Sequence, residues 1–429
     1  MIGRLGAIGV FFFLRIGCAL ILLKVAASRL SVAGFADFTQ YLAFASLVTL
    51  LAVGGTQNGL IRQVAAARSP GELEETVAAA AAIWLAASGV LLAVSFLFAP
   101  VIGTILVGHG SVGATVVALT AIAIFAGPGQ IRCSMLTGQG RMISSLAIQS
   151  AGLLAGAAGA AWFAFRGNPA AAGLAFACGT LVPSLPALAV LARRHAWPAA
   201  ASLLAHAKQL LRYSLAFATV AAAIPLTLFA LRWQYRGAFG DEALGHWLSA
   251  NRISDLSTQL IGLFMLQIFV PQIARMPDEL ARRRFTLICG AGGMAVMALP
   301  LIAFSIASEP LVRLFLSPSF LPAIPAIQTY MAGDMLRVWT SIAIYTAFAA
   351  GRAGRYAGLE LAVIGSIGAI TMLLIGQGYS SAPQWAYFLV HAVFSAGFLA
   401  FLFLSWRAPA ASRIAETASL TSKISARQL

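Results

Sequence analysis

The sequence predicts an all-α polytopic membrane protein: about twelve transmembrane helices in two six-helix bundles with a central cavity. Three observations predict it. The 429 residues are 60% hydrophobic with a mean hydropathy of +0.89, and only 10% are charged. Apolar runs of about 20 residues, the length that crosses a bilayer as a helix, follow one another with short breaks. A few arginines and carboxylates nevertheless sit inside those runs, where each central charge costs roughly 2.5–3.5 kcal/mol on insertion scales.

The first span, near 5–27, holds Arg15 and Lys24. Arg4, this apolar run and Ala26-Ala27-Ser28 faintly imitate a secretion signal, but the run is too long and carries two cations, so it is expected to be a retained helix. The second span (38–60) closes on Thr56-Gln57-Asn58-Gly59 and Arg62. A polar break with Arg68, Pro70 and Glu72 leads to the third (76–100). The fourth (112–136) carries Arg132 near its end and is followed by Gly138-Gln139-Gly140-Arg141. The fifth (143–163) contains Gly152-x-x-x-Gly156, a spacing that lets helices approach closely. The sixth (170–192) ends at the basic cluster Arg193-Arg194-His195.

The seventh span (213–231) includes Pro225. Along the eighth (245–270), Asn251, Arg252, Asp255, Thr258, Gln259 and Gly262 recur at intervals of three and four, a polar stripe on an apolar helix. The ninth (286–308) includes Pro300, and Pro318, Pro322 and Pro325 lead into the tenth (322–346), where Asp334 and Arg337 repeat the three-residue spacing. The eleventh (356–377) has Glu360 near its start, and the twelfth is 382–406.

Similar punctuation marks the two halves. The break after the second span and that after the eighth both read basic, proline, acidic; Gly140-Arg141 and Gly351-Arg352 occupy matching breaks. An even number of spans per half implies parallel repeats with a binding cleft between them. The expected divisions are an N-terminal bundle (1–192), a basic cytoplasmic linker (193–212), a C-terminal bundle (213–406) and a cytoplasmic tail (407–429).

Net charge is +15 from 28 basic and 13 acidic residues. With the N-terminus inside, the inner segments hold 18 of the basic residues and the outer ones only Arg29, Arg166, Arg232, Arg236 and Arg313. That asymmetry predicts both termini in the cytoplasm and assigns the charge to topology, not to nucleic acid.

Arg15, Lys24, Asn58, Arg62, Arg132, Asn251, Arg252, Asp255, Gln259, Asp334 and Arg337 are the candidate cavity residues. Asp255, Asp334 and Glu360 are the candidates for ion coupling. Cations outnumber anions in this set. An interior of that sign suits an anionic headgroup such as a pyrophosphate, which guanidinium binds through paired hydrogen bonds. Cys18, Cys133, Cys178 and Cys289 are expected to be small buried hydrophobes. No phosphate-binding loop or HExxH motif occurs, and no metal site, cofactor or catalytic loop is expected, so the chain reads as a transporter and not an enzyme.

Several short segments resemble bacterial polysaccharide flippases of the Wzx type, in the multidrug/oligosaccharidyl-lipid/polysaccharide exporter superfamily. They are Arg15-Ile16-Gly17 with Lys24, Asn58-Gly59 with Arg62, Ile253-Ser254-Asp255, Pro271 to Arg275, and Gly333-Asp334-x-x-Arg337. The likeness covers essentially the whole chain and is greatest to the branch that flips enterobacterial-common-antigen lipid III. Arg252 and several Arg-for-Lys replacements depart from that pattern. The resemblance implies a MATE-like fold and alternating access. It also implies movement of an undecaprenyl-pyrophosphate-linked oligosaccharide to the periplasmic leaflet of the bacterial inner membrane. Membrane lipids, a polysaccharide polymerase and a chain-length regulator would be its partners. An ion-coupled small-molecule or multidrug exporter of the same fold is the alternative, followed by a membrane enzyme or assembly factor of polysaccharide synthesis. A peptidoglycan-precursor flippase is less favoured, because such proteins carry two additional helices.

Overall fold

The computed structural model describes residues 2–108, 110–192, 199–276 and 278–425, and no strand occurs among them. The cluster Arg193-Arg194-His195 lies outside the described residues. The N-terminal half contains α1 (Ile2–Arg29), α2 (Val32–Ala52), a short α3 (Gln57–Ala66), α4 (Pro70–Leu97) and a short α5 (Ala99–Val107). It continues with α6 (Gly113–Phe125) running into α7 (Gly127–Gly138), then α8 (Met142–Phe165), and α9 (Pro169–Cys178) running into α10 (Leu181–Ala192). The C-terminal half begins with α11 (Ala200–Phe264), which passes through a π-helical stretch at Met265–Phe269 into α12 (Val270–Arg275). It is completed by α13 (Glu279–Ile306), α14 (Ser308–Phe315), α15 (Ile324–Ala349), α16 (Ala353–Gly376) and α17 (Ala382–Ser425).

Among the described residues nine helices are long and apolar enough to cross a membrane. Helix α15 and the two arms of α11 complete twelve crossings. The 26 residues of α15 span about 39 Å at 1.5 Å per residue, and its charged positions, Asp334 and Arg337, are those singled out in the sequence. The arms of α11 meet at Gly240, whose φ of +85° and ψ of 175° belong to a region essentially reserved for glycine. Proline at 225 and at 300 is carried inside α11 and α13.

Helix starts are set by side-chain caps. Ser69 accepts from the Glu72 amide ahead of Pro70, Asn168 from Ala171 ahead of Pro169, and Asp278 from Leu280 and Ala281. These satisfy orphan amides where the chain re-enters the bilayer. The punctuation seen in the sequence corresponds to equivalent structure in the two halves. Gly140 and Gly351 both have positive φ, and the next amides, Arg141 and Arg352, reach back five residues to Leu136 and Ala347. Each half also places a short helix (α5, α14) and a 3₁₀ turn (Gly110–Val112, Pro318–Ala323) after its third span.

Gly152 and Gly156 allow the close approach expected of them: a Cβ at either would meet backbone of Phe176 or Gly179. Cys18, Cys133 and Cys289 are buried, but Cys178 is exposed, because α9 ends there at the break into α10. We call the end at which α1 starts the near face and the end at which it finishes the far face.

Candidate functional site

At the far face the two halves are sealed together. The Lys24 ammonium, on α1, donates to the carbonyls of Arg313 (2.6 Å) and Leu316 (2.7 Å) at the end of α14. Phe35 of α2 packs edge-on against Phe320 with ring centroids 5.1 Å apart, and Gly245 of α11 lies directly on the Val32 carbonyl. Two arginines one turn apart on α11 complete the seal. Arg236 pairs with Asp37 of α2 at 2.6 Å and with Asp241, and donates to the Leu106 carbonyl at 2.6 Å. Arg232 is only 5% exposed and donates to Gln40 (3.0 Å) and Asn251 (3.3 Å); Gln40 in turn donates to the same Leu106 carbonyl.

The sequence assigned Arg232 and Arg236 to a loop, and the structure corrects this. Helix α11 continues through both, and burial is tolerated because each guanidinium finds carboxylate, amide or carbonyl acceptors. Their spacing of four, within Leu231-Arg232-Trp233-Gln234-Tyr235-Arg236, was the available signal.

Below the seal lie three cavities that share walls. The first, ≈ 230 Å³, is inside the C-terminal half between α11, α15, α16 and α17; Asn251, Asp255, Arg337 and Glu360 line it, with Tyr345 and His391. The second, ≈ 140 Å³, lies between the halves, with Cys18, Phe38 and Thr39 on one side and Arg252, Asp255 and Gln259 on the other. The third, ≈ 370 Å³, also lies between the halves and is lined by Asn58, Gly59 and Arg62 of α3, Leu266, and the rings of Tyr345, Phe348 and Tyr356. Asp255 stands between the first and second cavities and Tyr345 between the first and third, so the three are neighbours.

Asp255 and Arg252 form a loose pair at 3.8 Å, both side chains about a third exposed or more, with Asn251 3.5 Å from the carboxylate. Asp334 and Arg337 do not meet directly. The Tyr387 hydroxyl stands between them, donating to Asp334 Oδ1 at 2.7 Å and accepting from Arg337 at 3.2 Å. Ser254 also donates to Oδ1 (2.9 Å), while Oδ2 is buried without a hydrogen-bond partner among the described residues. Asp334 therefore sits behind the wall of the first cavity and Arg337 on it.

Of the remaining candidates, Arg15 is exposed on α1 and Arg132 is half-buried on α7; neither lines these cavities. Lys24 belongs to the seal. The cationic excess read from sequence shrinks accordingly: Arg62, Arg252 and Arg337 face the cavities against Asp255 and Glu360, three against two. Within the C-terminal half the sign reverses, since Asp255 and Glu360 share a cavity with Arg337 alone. The side chains can thus offer two chemistries, guanidinium donors on the inter-half surfaces and carboxylates inside the C-terminal half.

The sequence family described as "Polysaccharide biosynthesis protein" matches residues 8–277. No curated protein matches the chain by sequence. Among solved structures the fold is similar to "Lipid II flippase MurJ, inward closed conformation", with a TM-score of 0.71 and 11% identity over 95% of this chain and 92% of that one. It is also similar to an inward-facing multidrug resistance MATE family transporter of the MOP superfamily, with a TM-score of 0.67 and 13% identity over 93% and 95% of the two chains. The MATE multidrug transporter DinF-BH in complex with R6G has a TM-score of 0.62 and 16% identity over 92% and 93%.

Proposed function

Because the chain belongs to the polysaccharide biosynthesis protein family and its fold is similar to those of a lipid II flippase and MATE transporters, we propose that it carries a lipid-linked oligosaccharide across the bacterial inner membrane. The cargo in this reading is an undecaprenyl-pyrophosphate-linked glycan, which enters from the cytoplasmic leaflet and leaves to the periplasmic one. The observation that carries the reading is the set of three neighbouring cavities, each of which contributes one arginine: Arg62, Arg252 and Arg337. Spaced guanidinium groups suit a pyrophosphate that moves in steps, because each can form paired, charge-assisted hydrogen bonds to phosphate oxygens.

The near face is the cytoplasmic one in this reading, with both termini inside. The far-face seal would then hold the protein closed to the periplasm and receptive to cargo from the cytoplasmic leaflet. Alternation requires Lys24, Arg232 and Arg236 to release their partners across the halves and a new seal to form at the near face. Asp255, Asp334 and Glu360 would couple that exchange to a cation or proton in the C-terminal half. Lowering expression in the native host tests the assignment: lipid-linked oligosaccharide should accumulate on the cytoplasmic leaflet while surface polysaccharide falls. Unchanged surface polysaccharide with no accumulation would oppose it.

One observation favours a second reading. The carboxylate-rich cavity of the C-terminal half is also suited to a small organic cation, and an ion-coupled exporter would use it as the cargo site. Greater sensitivity to cationic dyes after loss of the protein, without loss of surface polysaccharide, would select that alternative.

A further inference from the structure

The third cavity contains more than its two polar side chains from α3. Tyr345 and Phe348 project from one turn of α15, and Tyr356 comes from the start of α16. Their ring centroids form a triangle with sides of 6.2 Å (Tyr345 to Phe348), 6.2 Å (Tyr345 to Tyr356) and 5.6 Å (Phe348 to Tyr356). All three are only partly buried and all three line the cavity. Across from them, on the other half of the molecule, Asn58 and Arg62 are four residues apart and exposed on one face of α3.

The three rings pack edge-on and tilted against one another, yet the space beside them stays open. These leave ≈ 370 Å³ between themselves and an amide and a guanidinium. A negatively charged ring face attracts the weakly positive C–H edge of a pyranose, and surrounding donors and acceptors take up its hydroxyls. A free pyrophosphate has no use for three such faces.

We propose that this cavity is a sugar subsite, in which a ring of the lipid-linked glycan packs against Tyr345, Phe348 and Tyr356 while Asn58 binds its hydroxyl oxygens and Arg62 stays with the pyrophosphate. The proposal rests on the transport reading above and adds the surface that recognises the glycan. The subsite spans the two halves, so a bound sugar would hold α3 to α15 and α16. Its occupancy would be felt by whatever motion opens the far face.

The test compares two probes bound to the purified full-length protein in nanodiscs: undecaprenyl pyrophosphate, and the same lipid bearing a trisaccharide of N-acetylated hexoses. The wild type should bind the glycosylated probe at least about tenfold more tightly. Tyr345→Leu, Phe348→Leu and Tyr356→Leu should each weaken the glycosylated probe by about tenfold and leave the bare lipid unchanged. Tyr345→Phe and Tyr356→Phe should keep most of the affinity. Asn58→Leu, on the opposite wall, gives the same readout should an aromatic variant fail to fold. Equal binding of the two probes by the wild type, or substitutions that affect both probes alike or neither, would overturn the sugar subsite and leave the transport reading standing. Failure of the wild type to bind either lipid would contradict the transport reading and remove the subsite with it.

Discussion

At the scale of single residues, the structure changes what the polar stripe means. Asn251, Arg252, Asp255 and Gln259 recur on one helix, yet they divide between two cavities. Asp334 and Arg337 read as an ion pair in the sequence and are joined through Tyr387, a residue whose involvement no spacing on α15 reveals. A tyrosine on α17 reaches this position only because α15 and α17 pack along each other, and that is a tertiary fact. Tyr387→Phe removes a donor to a carboxylate that is 1% exposed. Loss of such a hydrogen bond costs about 1–3 kcal/mol, so the apparent melting temperature in detergent should fall. An unchanged melting temperature would show that Asp334 is satisfied in another way. Asp334→Asn retains an acceptor for Ser254 and Tyr387, so it should insert and fold normally while any cation dependence of transport weakens.

At the scale of helices, α11 is the element on which the halves are joined. Its first arm brings Arg232 and Arg236 to α2 and α5, and its second brings Gly245 to α2 and Asp255 to the cavities. Hydropathy placed two spans here and a loop between them. The loop is helical up to Gly240 because Arg236 is paired with carboxylates within the seal and Arg232 is satisfied there by the amides of Gln40 and Asn251. Gly240→Ala forces a side chain into a region that costs about 1–3 kcal/mol, and thermal unfolding should register the loss. Arg236→Ala should loosen the seal. In a background without the four native cysteines, an Ala323→Cys reporter, buried near the Phe35–Phe320 contact, should then be labelled faster from the far face; an unchanged rate would mean that Lys24 and the aromatic contacts hold the seal unaided.

At the scale of the whole molecule, the fold was largely legible and the site only partly so. Apolar runs, glycine breaks and proline positions are local, and they give twelve crossings with matching punctuation in the two halves. Cavity walls are not local. Arg62, Arg252 and Arg337 are far apart in the chain, and the rings opposite Arg62 are indistinguishable in sequence from ordinary packing residues. Arg15 and Arg132 stood out because they interrupt apolar runs, a signal that marks cost without marking location. In the proposed mechanism the arginines of the three cavities serve an anionic headgroup, and carboxylates within the C-terminal half serve a coupling cation. Raising ionic strength should weaken binding of the lipid pyrophosphate through screening, most of all for the exposed Arg62.

The most direct measurement is transbilayer movement of an undecaprenyl-pyrophosphate oligosaccharide in proteoliposomes, comparing wild type with Arg252→Ala and Asp255→Asn. The account predicts movement by the wild type and a loss of at least about tenfold in each variant, with all three proteins folded and inserted alike. No movement by correctly inserted wild type, across several glycans, would contradict the transport reading; full activity in both variants would remove the cavities at Arg252 and Asp255 from the mechanism.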